Sequence, residues 1–162
     1  MANYPSLKFA AAVSERANAA WEDGSFLESV TPTTAVLLRF WFDDAHCDFR
    51  NLNFHSGQRQ AILNAIYIHE VLKKERVLDV YQAVAPHLLT EKGMSIAELA
   101  DQIYNHPKYA VKMATGTGKT WVLQALMIWQ YLNAKHEQGN YTKNFLVVAP
   151  GLIVYERLLD AF

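Results

Sequence analysis

The sequence predicts an α/β chain: a helical N-terminal region followed by an incomplete β-α-β-α unit with parallel strands. Three observations predict it. Segments with helical spacing or helix-start signals run from Ser6 to about Tyr104. Two short runs further on, "KYAVKM" (108–113) and "FLVVA" (145–149), read as strands, the second with the unbroken apolar character of a strand inside a parallel sheet. Each run is followed by a segment with the composition of a helix, "GKTWVLQALMIWQYLNAK" and then "PGLIVYERLLDAF". The expected divisions are a helical region over 1–50, a glutamine-bearing helix with a helical insert over 51–107, and the start of an α/β domain over 108–162.

Taken in order, "SLKFAAAVSERANAAW" reads as a helix with Ser6 as N-cap, and "EDGS" as a turn. "VTPTTAVLLRFWF" places Thr31 at an N-cap and Pro32 at the first helical position, where its missing N–H costs nothing; the helix runs to about Phe42. "DDAHCDFRNLN" is a polar connector. "SGQRQAILNAIYIHEVLKK" carries Ala61, Ile62, Ala65, Ile66, His69 and Leu72 on one stripe. "RVLDVYQAVAPHLL" is helical as far as Pro86, which stops it. Ser95 and Glu98 have capping-box spacing and open a helix to about Tyr104, broken by "NHP". The segment after Gly118 is apolar nearly all round and is expected to be buried.

Composition bounds the function. The chain has 162 residues, about half of them apolar, with 4 Trp, 8 Tyr and 8 Phe, which excludes a disordered polypeptide. A net charge of −1, from 15 basic and 16 acidic residues, gives no general attraction to nucleic acid. Cys47 is the sole cysteine, so no intrachain disulfide forms, and a reducing setting is expected. No signal-type or membrane-spanning apolar run is present in the sequence, so the expected location is soluble and cytoplasmic. "WFDDAHCDF" collects carboxylates, a His and a Cys, but lacks a second ligand pair at metal-site spacing and reads as a connector. His46, His55 and His69 read as unrelated surface or helix residues.

"MATGTGKT" carries the chemistry. Glycines let the backbone curl round an anion with no Cβ in the way, and the first turn of the following helix adds unpaired N–H donors and positive dipole charge. Thr115, Gly116, Thr117, Gly118, Lys119 and Thr120 are the nucleotide-binding candidates. Lys119 would reach the β- and γ-phosphates as the catalytic cation, and the Thr120 hydroxyl would hold Mg²⁺. The long form of the pattern asks for a glycine where Met113 stands; the core Gly-x-Gly-Lys-Thr is intact.

With Met113 in first position, "MATGTGKT" resembles motif I of superfamily-two helicases and translocases, most closely the variant in the motor (Res) subunit of type III restriction-modification enzymes. "FHSGQRQAI" (54–62) resembles the glutamine-containing adenine motif of that superfamily, although His55, Ser56 and Gly57 stand where an Arg and an aromatic are usual. "NFLVVAPGLIVYERLLDAF" resembles the strand and helix that follow motif I. The resemblance covers roughly residue 30 to the end. It implies the first part of a RecA-like P-loop ATPase domain using ATP and Mg²⁺. Gln58 would read the adenine edge and Phe54 would pack on its face. Gly151 and Arg157, at the start and middle of the last helix, would contact DNA. It also implies double-stranded DNA and a modification (methyltransferase) subunit as partners of the intact protein. From the residues themselves, Gln58 could equally be a helix N-terminal residue and Phe54 a core aromatic.

A motor ATPase also needs a carboxylate after a second apolar strand to hold Mg²⁺ and activate water. After Thr120 the acidic residues are Glu137, Glu156 and Asp160, none of which follows such a strand. The expectation is a front segment of a DNA-dependent ATPase that binds ATP without hydrolysing it by itself. Two other readings stay open: a non-enzymatic regulatory module acting through its helical half, and an unrelated P-loop enzyme such as a kinase.

Overall fold

The computed structural model describes residues 4–91, 94–106, 108–148 and 151–159, with only the backbone at Tyr104, Ile153, Val154 and Arg157. In chain order it forms α1 (Pro5–Glu22), α2 (Ser25–Ser29), α3 (Pro32–Phe42), α4 (Asp44–Cys47) and α5 (Ser56–Ile66). A π-type turn, Tyr67–Val71, extends α5. Then come α6 (Val77–Val84), a 3₁₀ turn at Pro86–Thr90, α7 (Ile96–Leu99) and a second 3₁₀ turn at Gln102–Tyr104. α8 (Lys119–His136) and α9 (Leu152–Leu159) follow.

The expected α/β fold with a RecA-like β-α-β-α unit is therefore corrected: among the described residues there is no strand. Residues 108–113 and 145–148, read from sequence as strands, are irregular; Ala149, at the end of the second run, lies outside the described residues. A strand exists only as part of a ladder of backbone bonds to a neighbour, and apolar composition cannot supply that neighbour. Instead these runs are open to solvent, with Val111 41%, Leu146 89% and Val148 81% exposed.

The contacts divide the chain into two units: residues 1–30 with 63–112, and 31–62 with 113–162. In the first unit α1 packs on α2, on α6 and on the 3₁₀ turn after α6. Val13 and Ala17 of α1 are buried, as are Phe26, Ile66, Val80, Val84 and Leu88. Each large apolar side chain taken fully from water contributes about 1.5–3 kcal/mol. Phe26 sits between Trp21 (5.9 Å) and Tyr67 (6.0 Å). Phe9 stacks on Tyr81 at 3.9 Å, and burial pushes the Tyr81 phenol above its ordinary pKa. α1 begins one residue before Ser6, with Tyr4 at the N-cap, because Pro5 is already set for the first turn. The Ser95 hydroxyl accepts from Glu98 N as its spacing predicts, but α7 is only one turn long.

In the second unit α3 packs on α8. The Thr31 hydroxyl accepts from Thr34 N, which makes Thr31 the N-cap ahead of Pro32 as expected. The same hydroxyl bonds Asn133 Oδ1, and Trp129 Nε1 (3.1 Å) and Asn133 Nδ2 (2.8 Å) both donate to the Thr34 hydroxyl. Thr34 and Asn133 are fully buried, so this network ties two helices together through groups that have no water to fall back on. At the far end of α8, Glu137 accepts from Thr33 N (3.0 Å) and the Thr33 hydroxyl (2.6 Å).

Burial of α8 is one-sided. Val122, Ala125, Trp129 and Asn133 recur at helical spacing and are buried, whereas Trp121, Leu123, Ile128 and Tyr131 on the opposite side are 38–46% exposed. The expectation of a helix buried all round is corrected accordingly: its apolar composition exceeds what its neighbours cover.

Candidate functional site

The second unit places the glycine-rich segment directly ahead of α8. Thr115 and Gly116 form a turn, Gly118 is the N-cap of α8, and Lys119 and Thr120 are its first two residues. Gly116 has φ +79° and Gly118 φ +68°, the left-handed region that side chains other than glycine's rarely adopt. The two glycines are thus required by the turn itself. Open space surrounds Gly116, whereas a Cβ at Gly118 would stand 2.4 Å from Gln58 Nε2.

Inside the turn, the Ala114 carbonyl gathers two donors, the Thr117 hydroxyl (2.7 Å) and Lys119 Nζ (2.7 Å). Lys119 is exposed and reaches back across the turn to its first residue. One of its three ammonium donors is engaged there. Thr120 is half-buried in the first turn of α8, and Thr115 and Gly116 are exposed.

Behind the turn stands the start of α5. Gln58 is 5% exposed, and both ends of its amide have protein partners. Its Oε1 accepts from His55 N (3.0 Å), and its Nε2 donates to the carbonyls of Thr117 (3.2 Å) and Gly118 (3.3 Å). His55 Nδ1 accepts from Gly57 N (3.1 Å) and Gln58 N (3.4 Å). Since Nδ1 accepts, the ring hydrogen is on Nε2, which donates to Thr117 O at 3.0 Å. His55 and Gln58 together make a capping box, with His in the place usually held by Ser or Thr and Gln three residues on. His55, read from the sequence as a surface or helix residue, is exposed at the start of α5, and it also bonds the glycine turn. The signal in the sequence was the His55-to-Gln58 spacing, masked because His is not among the usual capping residues.

Phe54 is half-buried within a group of rings, edge-on to Trp41 (6.1 Å), Phe42 (5.8 Å) and Trp121 (5.8 Å). The Arg59 guanidinium lies over Phe42 at 5.6 Å. Trp121 belongs to the first turn of α8, so these rings flank the glycine turn. Gly151 is exposed immediately before α9, and its carbonyl accepts from Tyr155 N (3.0 Å). The Arg157 side chain, and Pro150 and Asp160, lie outside the described residues. Cys47 Sγ lies 3.2 Å from Arg50 Nη2. Among the described residues no helix is long and apolar enough to cross a membrane.

The architecture is thus a helical chain with a glycine-cornered turn at the N-terminus of α8, backed by a capping glutamine and histidine. The chain belongs to the family of the type III restriction enzyme res subunit, whose family model matches residues 51–162, more than half of its length. This is a family of helicase-like, ATPase-related restriction-enzyme subunits, and the matched span contains α5, the glycine turn, α8 and α9. No curated protein and no solved structure gives a match.

Proposed function

We propose that the turn 114–118 and the first residues of α8 bind the phosphates of ATP, and that the chain supplies the nucleotide-binding part of a DNA-dependent motor of a type III restriction endonuclease. The observation that carries this is the conjunction of Gly116 and Gly118 at positive φ with Lys119 as the first residue of an 18-residue helix. Such a terminus presents unpaired N–H groups and positive dipole charge to an anion. Lys119 would exchange the Ala114 carbonyl for phosphate oxygens, a change from a neutral acceptor to an anionic one that favours the ligand. Thr120 would place its hydroxyl on Mg²⁺, which supplies charge neutralisation at the β- and γ-phosphates. Thr115, Gly116, Thr117 and Gly118 would contribute backbone.

Gln58 and Phe54 serve this site from behind and beside it. Adenine contact by either would require Gln58 to give up a bond to the turn, or Phe54 to offer a face of a ring already flanked by three others. Binding without turnover is the proposed activity of these 162 residues taken alone. Glu137 is held by Thr33, and Glu156 is exposed on α9, so neither is poised to activate water. In the intact protein the partners would be double-stranded DNA, with Gly151 and Arg157 as contacts, and a modification methyltransferase subunit. The location would be cytoplasmic.

Thermal unfolding with and without ATP·Mg²⁺ tests the reading. A ligand that binds the native state alone raises Tm; at about 100 times its Kd it adds about 2.7 kcal/mol. The expected result is a rise with ATP·Mg²⁺ and none with AMP at equal concentration. Equal shifts would contradict recognition of the β- and γ-phosphates, and none with either would contradict phosphate binding and favour a non-enzymatic module.

A further inference from the structure

We infer that His55 is a positioning residue for the nucleotide site: with Gln58 it fixes the orientation of two peptide planes of the glycine turn and so aims the Gly118 and Lys119 N–H groups at the bound phosphate. The inference rests on the reading of the turn as a phosphate site. In a trans peptide the carbonyl of one residue and the N–H of the next point in opposite directions within the same plane. Thr117 O is held by His55 Nε2 and Gln58 Nε2, so the Gly118 N–H faces the other way. Gly118 O is held by Gln58 Nε2 and by Trp121 N (3.0 Å), so the Lys119 N–H likewise faces out of the helix N-terminus. Glycine backbone is the most mobile kind, and at positive φ it has other wells to visit. Three side-chain bonds to two adjacent carbonyls remove that freedom before a ligand arrives, which lowers the ordering cost of binding.

The capping box makes the clamp rigid. His55 Nδ1 caps α5 while Nε2 clamps the turn, so one ring joins the start of one helix to the start of another. Gln58 does the same with its two ends. Each residue therefore has a helix-capping half and a turn-holding half, and substitutions can separate the halves. Asn at position 55 can still accept from the N–H groups of Gly57 and Gln58, but it cannot extend to Thr117 O. Glu at position 58 can still accept from His55 N, but it faces two carbonyls with an oxygen in place of an N–H donor.

The experiment uses the full 162-residue chain. Wild type, His55→Asn and Gln58→Glu are compared for thermal stability and for ATP·Mg²⁺ affinity by calorimetry, and the His55 ring is followed by ¹⁵N NMR. For His55→Asn the expected result is a Tm lowered by about 2–4 °C, the scale of one lost neutral hydrogen bond, with affinity about five-fold weaker. For Gln58→Glu the loss should exceed ten-fold, since acceptor faces acceptor. The ring should show a hydrogen on Nε2 and none on Nδ1. Wild-type affinity in His55→Asn would overturn the inference. If wild type itself fails to bind ATP·Mg²⁺, the phosphate reading falls, and the NMR signature decides the clamp separately: Nε2–H upholds it, Nδ1–H overturns it.

Discussion

Substituting the two glycines of the turn separates backbone strain from side-chain collision. Gly116 and Gly118 both hold positive φ, +79° and +68°. An alanine in that region costs roughly 1–2 kcal/mol at either position. At Gly116 nothing lies within 4 Å of the added carbon, so that strain is the whole effect. At Gly118 the carbon would stand 2.4 Å from Gln58 Nε2, well inside contact distance, and the amide must leave. Its two bonds to Thr117 O and Gly118 O then go, at about 0.5–1.5 kcal/mol each. Gly118→Ala should therefore cost roughly 2–5 kcal/mol and Gly116→Ala roughly 1–2. Equilibrium urea unfolding followed by far-UV circular dichroism measures both. In a Gln58→Ala background the extra cost at Gly118 should vanish, because the obstructing amide is gone. Equal penalties at the two glycines, or an unchanged Gly118 penalty without the Gln58 amide, would refute the reasoning.

Two further outcomes follow from the α3–α8 contact. Asn133→Leu strips one partner each from the half-buried Thr31 hydroxyl and the buried Thr34 hydroxyl and should destabilise the protein by about 2–4 kcal/mol in the same urea assay, whereas an exposed substitution such as Lys135→Leu should change it by less than about 0.5. Glu137 has its pKa lowered, first by the Thr33 hydroxyl and then by the Thr33 N–H. A carboxyl whose folded pKa is depressed contributes stability that is fully present above its unfolded pKa and is lost as pH falls through the folded one. Stability should thus decline from about pH 5 downward, and Glu137→Gln should flatten that part of the profile while leaving the decline from other carboxylates.

The helices were largely legible in the sequence, the expected sheet is absent among the described residues, and the difference is physical. Helix starts are local. Thr31 before Pro32, Ser95 three residues before Glu98, and Gly118 before Lys119 each specify a terminus by contacts within four residues. Strands are not local: "KYAVKM" and "FLVVA" have strand composition, yet no described segment pairs with either. The turn itself was legible because positive φ demands glycine. What holds it from behind was only half legible. Gln58 stood out, but its use as a clamp depends on bonds to Thr117 and Gly118 some 59 and 60 residues away in sequence. His55 stood in a capping position without being a usual capping residue. The Thr34–Asn133 bond, spanning 99 positions, had no sequence signature at all.

Calorimetric titration of ATP·Mg²⁺ into wild type and Lys119→Ala tests the nucleotide site most directly. Removing an ammonium that pairs with phosphate forfeits a charge-assisted interaction of about 1.5–3 kcal/mol, or roughly 10- to 150-fold in Kd. Measurable binding by wild type that drops out of range in the variant, with circular dichroism unchanged, is the predicted result. Identical affinities for the two proteins would mean that the glycine turn ahead of α8 does not hold the triphosphate.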